Sequence, residues 1–165
     1  MCWQCDNPGT TWLDYLAHLR ELLGQHCWVV QGVQRERRRA PYAYTVGLAG
    51  HARPELVVTG LPYNDAADLL NRIAAQLLQA RAPGPGDLVA LPDGRRAEIV
   101  RVAEPSVHLL VAAAVNGPEF SALQLVYADD QGRWPWDQDF RGGRGGQPVL
   151  GGRGSAGQPA AGRLG

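Results

Sequence analysis

The stretch Leu123-Gln124-Leu125-Val126-Tyr127-Ala128-Asp129-Asp130-Gln131-Gly132-Arg133-Trp134-Pro135-Trp136 constrains this chain more than any other. Its first five residues form a run of strand type, Asp-Asp-Gln-Gly makes a reversal, and the chain leaves the turn with two tryptophans flanking a proline. Indole rings are costly to expose and proline locks its own φ, so the pair holds the chain against a core edge or the rim of a pocket. Such a block identifies a structure and not a reaction.

At 165 residues the chain fits one domain with a substantial core, because a folded chain of about 150 residues buries roughly 70% of the surface its extended form exposes. Formal net charge is zero, so the total points to neither nucleic acid nor a membrane surface. All sixteen basic residues are arginine, which together with abundant Ala, Gly and Pro reads as GC-rich coding before it reads as function. Arg141, Arg144, Arg153 and Arg163 lie in a segment without an acid, which leaves the body before it net acidic. No run approaches the roughly twenty apolar residues that span a bilayer, and the N-terminus has neither a basic nor an apolar leader region. The expectation is a cytoplasmic protein with no membrane association. Three cysteines, an odd number, argue against a disulfide framework and for free thiols or a metal site.

Periodicity supplies the elements. Thr11 can cap a helix with Trp12, Leu16, Leu19 and Leu23 in one stripe, stopped at Gly24. Cys27 to Val33 and Tyr42 to Leu48 read as an antiparallel pair around the charged loop Gln34 to Arg39, and Pro54 to Gly60 is a third strand. A second helix begins at Asn64 or Asp65 and runs to about Arg81. After the break at Ala82-Pro83-Gly84-Pro85-Gly86 comes a hairpin, Leu88 to Leu91 with Ala97 to Val102. Pro105 to Val115 favours a third helix without excluding a strand, and Phe120 to Tyr127 is the last strand. The order α-β-β-β-α-β-β-α-β predicts an α+β fold, a mainly antiparallel sheet with about three helices packed on one face. Residues 1–140 would form the single domain. Residues 141–165 would be a Gly/Arg/Pro-rich tail, disordered after about Leu150 because that composition buries too little apolar surface.

Four blocks together, Cys27-Trp28-Val29-Val30-Gln31, Ala43-Tyr44-Thr45-Val46-Gly47-Leu48, Pro54-Glu55-Leu56-Val57-Val58-Thr59-Gly60-Leu61-Pro62 and Leu123 to Trp136, resemble a bacterial family, domain of unknown function 4262. The resemblance spans about Trp12 to Trp136. It is nearest to an actinobacterial branch that also carries the Cys2-Trp3-Gln4-Cys5 opening and a Gly/Arg-rich extension over Phe140 to Leu150. It implies an architecture and brings no catalytic residue with it.

Several residues could carry chemistry. Cys2 and Cys5 have the spacing of half a zinc site or of a dithiol pair. His51, His108 or a second copy of the chain would have to complete the zinc set, since His26 and Cys27 lie beyond a helix about 20 Å long. Removal of Met1 would expose an N-terminal Cys2 amine and thiol of the kind some hydrolases use. His51, in a loop between strands, is the best lone general base, with Glu55 to orient it or simply to begin the strand. Ala43, Thr45 and Gly47 make a face of small residues opposite Tyr42, Tyr44, Val46 and Leu48, fit for a helix or a ligand. Gly47 and Gly60 mark strand ends. Asp129, Asp130, Asp137 and Asp139 cluster around the final turn like a hard-cation site but lack the ligand spacing and terminal Glu of a calcium loop, and turn chemistry explains the first pair. Trp134 and Trp136 could stack a planar ligand or nucleobase or close a core edge, and Arg141-Gly142-Gly143-Arg144-Gly145-Gly146 looks like the Arg-Gly-Gly segments that hold single-stranded nucleic acid, though with only two arginines and no aromatic after Phe140.

The reading is a cytoplasmic accessory domain that binds a small molecule or a protein partner, with zinc at Cys2 and Cys5, nucleic acid disfavoured and homo-oligomerisation open to it. The alternative is a small enzyme, hydrolase-like or thiol-dependent. Its pocket would lie near the central strand ends, where His51, Glu55, Tyr44 and Thr45 would meet Trp134 and Trp136.

Overall fold

The computed structural model describes residues 6–153. Helix α1 (Trp12–Gln25) precedes strands β1 (Val29–Val33), β2 (Tyr42–Val46) and β3 (Glu55–Thr59). Helix α2 (Tyr63–Gln79), strands β4 (Leu88–Ala90) and β5 (Arg96–Arg101), short helices α3 (Pro105–His108) and α4 (Leu110–Asn116) and strand β6 (Ala122–Tyr127) follow. The six strands form one sheet in the order β1-β2-β3-β6-β5-β4. Every pairing is antiparallel except that of β3 with β6. This is an α+β fold with a mixed, mostly antiparallel sheet and three main helices, α1, α2 and α4. The last strand in the chain takes a central place because all six of its residues are buried, which only an inner strand covered on both faces can provide.

That burial also decides where the helices go. On one face Ala43, Leu56, Val58, Leu123 and Leu125 pack with Leu70, Ile73, Ala74 and Leu77 of α2. On the other, Tyr44, Val46, Val57 and Ala122 pack with Tyr15, Leu16 and Leu19 of α1 and Val111 and Ala112 of α4. Helices on a single face, as the strand order suggested, would have left one apolar side of β3 and β6 in water. The small face of β2 does admit a helix, as Ala43 packs in the cluster that holds α2.

Local chemistry sets the element ends. Thr11 and Asp14 form a reciprocal capping box at the start of α1, which supplies two of the partners that a helix N-terminus lacks. The predicted third helix is broken at Leu109, where φ is −104° and ψ 66°. Two tyrosines of β2 hold that break: Tyr42 Oη donates to the His108 carbonyl at 3.0 Å, and Tyr44 Oη accepts from the Val111 amide at 3.1 Å.

The C-terminal segment is more than a tail. Phe140 is buried, and residues 147–153 then run back over the sheet. The fully buried Gln124 donates through Nε2 to the Pro148 carbonyl and accepts through Oε1 from the Leu150 amide, each at 2.7 Å. Gln147 bonds both the amide and the carbonyl of Tyr127. Arg153 pairs with Glu98 at 3.1 Å and lies over the ring of Trp136. The body therefore continues past residue 140 as far as Arg153. A segment poor in apolar residues is ordered here because the sheet has buried polar groups that need partners.

Candidate functional site: an arginine cleft at one end of the sheet

The register places two sets of loops at opposite ends of the sheet. Tyr42 stands opposite Thr59 and Tyr44 opposite Val57, while β6 runs parallel to β3. One end therefore gathers the loop between β1 and β2, the exit of β3 at Gly60-Leu61-Pro62 and the exit of β6 from Ala128 onward. A cleft of about 960 Å³ opens there, lined by Arg35, Arg37, Arg38 and Arg39 of the first loop and by Arg133, Arg141 and Arg144 beyond β6. Glu36, Asp129 and Asp130 are its acids.

Few of these guanidinium groups are neutralised. Arg39 pairs with Glu36 at 3.0 Å, and Arg133 reaches Asp129 at 3.0 Å and Asp139 at 3.2 Å. Arg35, Arg37, Arg38, Arg141 and Arg144 have no acidic partner among the described residues. An otherwise neutral chain thus concentrates positive charge in one concavity, where low-dielectric walls strengthen the field felt by an anion.

Asp129 builds the wall on the β6 side. Its carboxylate accepts from the amides of Gln131, Arg133 and Arg141 and from Arg133 Nε, at 2.9–3.0 Å. Burial pushes its carboxyl up, but the amides of Arg141, Arg133 and Gln131, with the Arg133 side chain, outweigh burial and hold the pKa down to about 2. Asp129 is therefore a structural anion that ties the Asp-Asp-Gln-Gly turn to the loop beginning at Arg141.

That loop needs its glycines. Arg141, Gly142, Gly143, Gly145 and Gly146 all have positive φ, a region open to glycine and strained for most other residues. Arg141 donates to Tyr127 Oη at 2.9 Å. Burial raises the Tyr127 phenol above its ordinary range, so the hydroxyl keeps its proton and donates in turn to the Thr59 carbonyl at 3.0 Å. Gly60 lies on the floor: its amide donates to the Pro41 carbonyl at 2.7 Å, and a Cβ on it would overlap the carbonyl oxygen of Gly146. Across the Tyr127 ring a smaller hollow of about 370 Å³ carries Asp65, Asp68 and Asp93 beside Arg72 and Arg95, so its charge is mixed.

The residues singled out for catalysis sit elsewhere. His51 is exposed, in a 3-10 turn over Leu48–His51, at the end of the sheet where β3 begins. Glu55 is fully buried. Its carboxylate accepts from Thr45 Oγ1 at 2.7 Å, the Gly47 amide at 2.9 Å, Asn116 Nδ2 at 3.0 Å and the Ala49 amide at 3.2 Å. Thr45 Oγ1 also accepts from the Leu56 amide at 2.8 Å. Glu55 and Thr45 thus clamp the exit of β2 to the entry of β3 and to α4. Tyr44 is in the core with its hydroxyl engaged by Val111, and burial pushes its phenol far up. Trp134 and Trp136 are stacked on each other, 5.3 Å between centroids and 8° between planes, beyond the opposite end of β6. The pocket expected between His51 and the tryptophans therefore does not form, because the parallel pairing of β3 and β6 sends them to opposite ends.

Cys2 and Cys5, the pair considered for zinc, lie outside the described residues. Among the described residues no group of three or more His, Cys, Asp or Glu is placed to hold a metal ion, and Cys27 is exposed with a free thiol. No described helix is long and apolar enough to cross a membrane. Sequence reasoning noted the charged loop Gln34 to Arg39 and the Arg141–Gly146 segment separately and missed that they share a cleft. The signal was present in two arginine-rich loops, each next to a strand end, but only strand order brings them together.

A six-stranded, mostly antiparallel sheet with helices on both faces and a basic cleft at one end defines the architecture. Residues 23–141 match the family model described as Domain of unknown function (DUF4262), and the chain belongs to that family. No curated protein and no solved structure matches it.

Proposed function

We propose that this protein is a binding module whose ligand is a small molecule carrying anionic groups, held in the arginine cleft. The observation that carries this reading is the convergence of seven arginines, five without an acidic partner among the described residues, in one cleft of about 960 Å³. Small-molecule sites occupy roughly 300–1,000 Å³, and a planar guanidinium offers paired donors that match a carboxylate or phosphate. Glycines on the floor and along one wall let a ligand approach the backbone closely. The polar side chains first weighed for catalysis, Glu55 and Thr45, are engaged in holding strands and loops together, which favours binding over a reaction at that end of the sheet.

The test is residue-resolved. Titration of isotope-labelled protein with millimolar inorganic phosphate at constant ionic strength should move the amide resonances of Gly60, Gly142, Gly145 and Gly146 and leave those of Gly47 and His51 in place. Shifts confined to the His51 end, or no saturable shift at all, would overturn the reading.

A further inference from the structure

Resting on the anion-binding reading above, we propose that the ligand bears at least two phosphate groups, one held by the loop between β1 and β2 and another by the glycine loop after β6. The strand order supports a two-sided site. β1 and β2 stand on one side of β3 and β6 on the other, and strands in a sheet are spaced by about 4.8 Å, so the exits of β2's loop and of β6 lie about 10 Å apart. Arg35, Arg37 and Arg38 rise from the first wall and Arg141 and Arg144 from the second, with Gly60-Leu61-Pro62 between them.

Charge matching argues for more than one phosphate. A phosphate ester near neutral pH carries about −1.5 to −2, which cannot balance the five guanidinium groups without acidic partners even when Asp130, the acid of the cleft that pairs with no arginine, is set against them. The backbone of the second wall favours phosphate over a flat carboxylate. Arg144 is in the right-handed region, with φ −80° and ψ −15°, and Gly145 follows at φ +60°. A right-handed residue followed by a left-handed one turns successive N–H groups toward a common concavity that receives anions; the Arg144 amide already donates to the Arg141 carbonyl at 3.4 Å, so those of Gly145 and Gly146 are the ones open to a ligand. The cleft lining contains no aromatic ring among the described residues, so there is no stacking platform for the bases of a single strand. Recognition of a compact, phosphate-rich small molecule is what remains.

Calorimetric titration of the full chain with orthophosphate, pyrophosphate, tripolyphosphate, citrate and a short single-stranded oligonucleotide, at matched ionic strength, tests this. Pyrophosphate and tripolyphosphate should bind about tenfold or more tighter than orthophosphate and citrate, since each further charge-assisted hydrogen bond contributes enough for about a tenfold change. Arg38→Ala and Arg144→Ala, both at exposed positions, should each weaken pyrophosphate binding about tenfold while circular dichroism and melting temperature stay unchanged. Equal affinity for orthophosphate and pyrophosphate would overturn the two-phosphate inference and leave the anion reading standing. Citrate binding as tightly as tripolyphosphate would overturn the choice of phosphate, and an oligonucleotide binding far tighter than tripolyphosphate would replace the small ligand with a polymer. Binding of none of them would remove both readings together.

Discussion

Gly60 and Gly146 meet backbone against backbone: a Cβ on Gly60 would overlap the Gly146 carbonyl oxygen, and the Gly60 amide meanwhile donates to the Pro41 carbonyl at 2.7 Å. Gly60 thereby joins both walls of the cleft to its floor. It also has φ +78°, so an alanine would be strained even in open space. Gly60→Ala is expected to lower stability by about 1–3 kcal/mol from backbone strain alone, with a further loss from the displaced loop. Urea denaturation measures this, and an unchanged midpoint would refute the packing described for the cleft floor.

Glu55 separates structure from catalysis at the other end of the sheet. Removing its carboxylate leaves the donors of Thr45, Gly47, Ala49 and Asn116 without their acceptor, and each buried unsatisfied group costs about 1–3 kcal/mol. Glu55→Ala should therefore destabilise the fold by about 3 kcal/mol or more. His51→Ala, at an exposed turn, should stay within about 0.5 kcal/mol of the parent. If the His51 variant unfolds as readily as the Glu55 variant, the division of roles is wrong.

The depressed pKa of Asp129, about 2 in the folded chain, makes stability depend on acid in a predictable direction. An unfolded aspartate titrates near its ordinary value of 3.8, so between the two values the unfolded chain holds more protons and stability rises with pH. The contribution is complete above about pH 4 and is lost as pH falls through about 2. Asp129→Asn should flatten that part of the pH–stability curve and lower stability at neutral pH. A variant that keeps the parent's acid slope would show that Asp129 is not the responsible group.

Deleting everything after Gly146 removes the Pro148 and Leu150 partners of the buried Gln124 amide and leaves it Thr59 Oγ1 alone, at 3.1 Å, and it removes the Gln147 bonds to Tyr127. With buried polar groups left unpaired at about 1–3 kcal/mol each, the melting temperature should fall by about 5 °C or more. Differential scanning calorimetry would reveal this, and a shift under one degree would mean that residues 147–153 do not strap the sheet.

The sequence by itself determined most of the elements, the α+β class and the family, but not the break at Leu109. Hydrophobic period is a local property, and Leu69, Leu70, Ile73 and Leu77 or Leu123 to Tyr127 show it without outside help. Even Gly60 could be marked as special, though not why. What only the tertiary structure decided is strand order. Placing β6 between β3 and β5, parallel to the first, sends His51 and Trp134 to opposite ends and brings Arg38 and Arg144 to the same cleft. Such long-range pairing rests on which apolar faces bury each other, and no window of neighbouring residues contains that information. The strap of residues 147–153 was hidden for a related reason: its order comes from hydrogen bonds that the sheet offers it, above all from Gln124, and not from any apolar surface of its own.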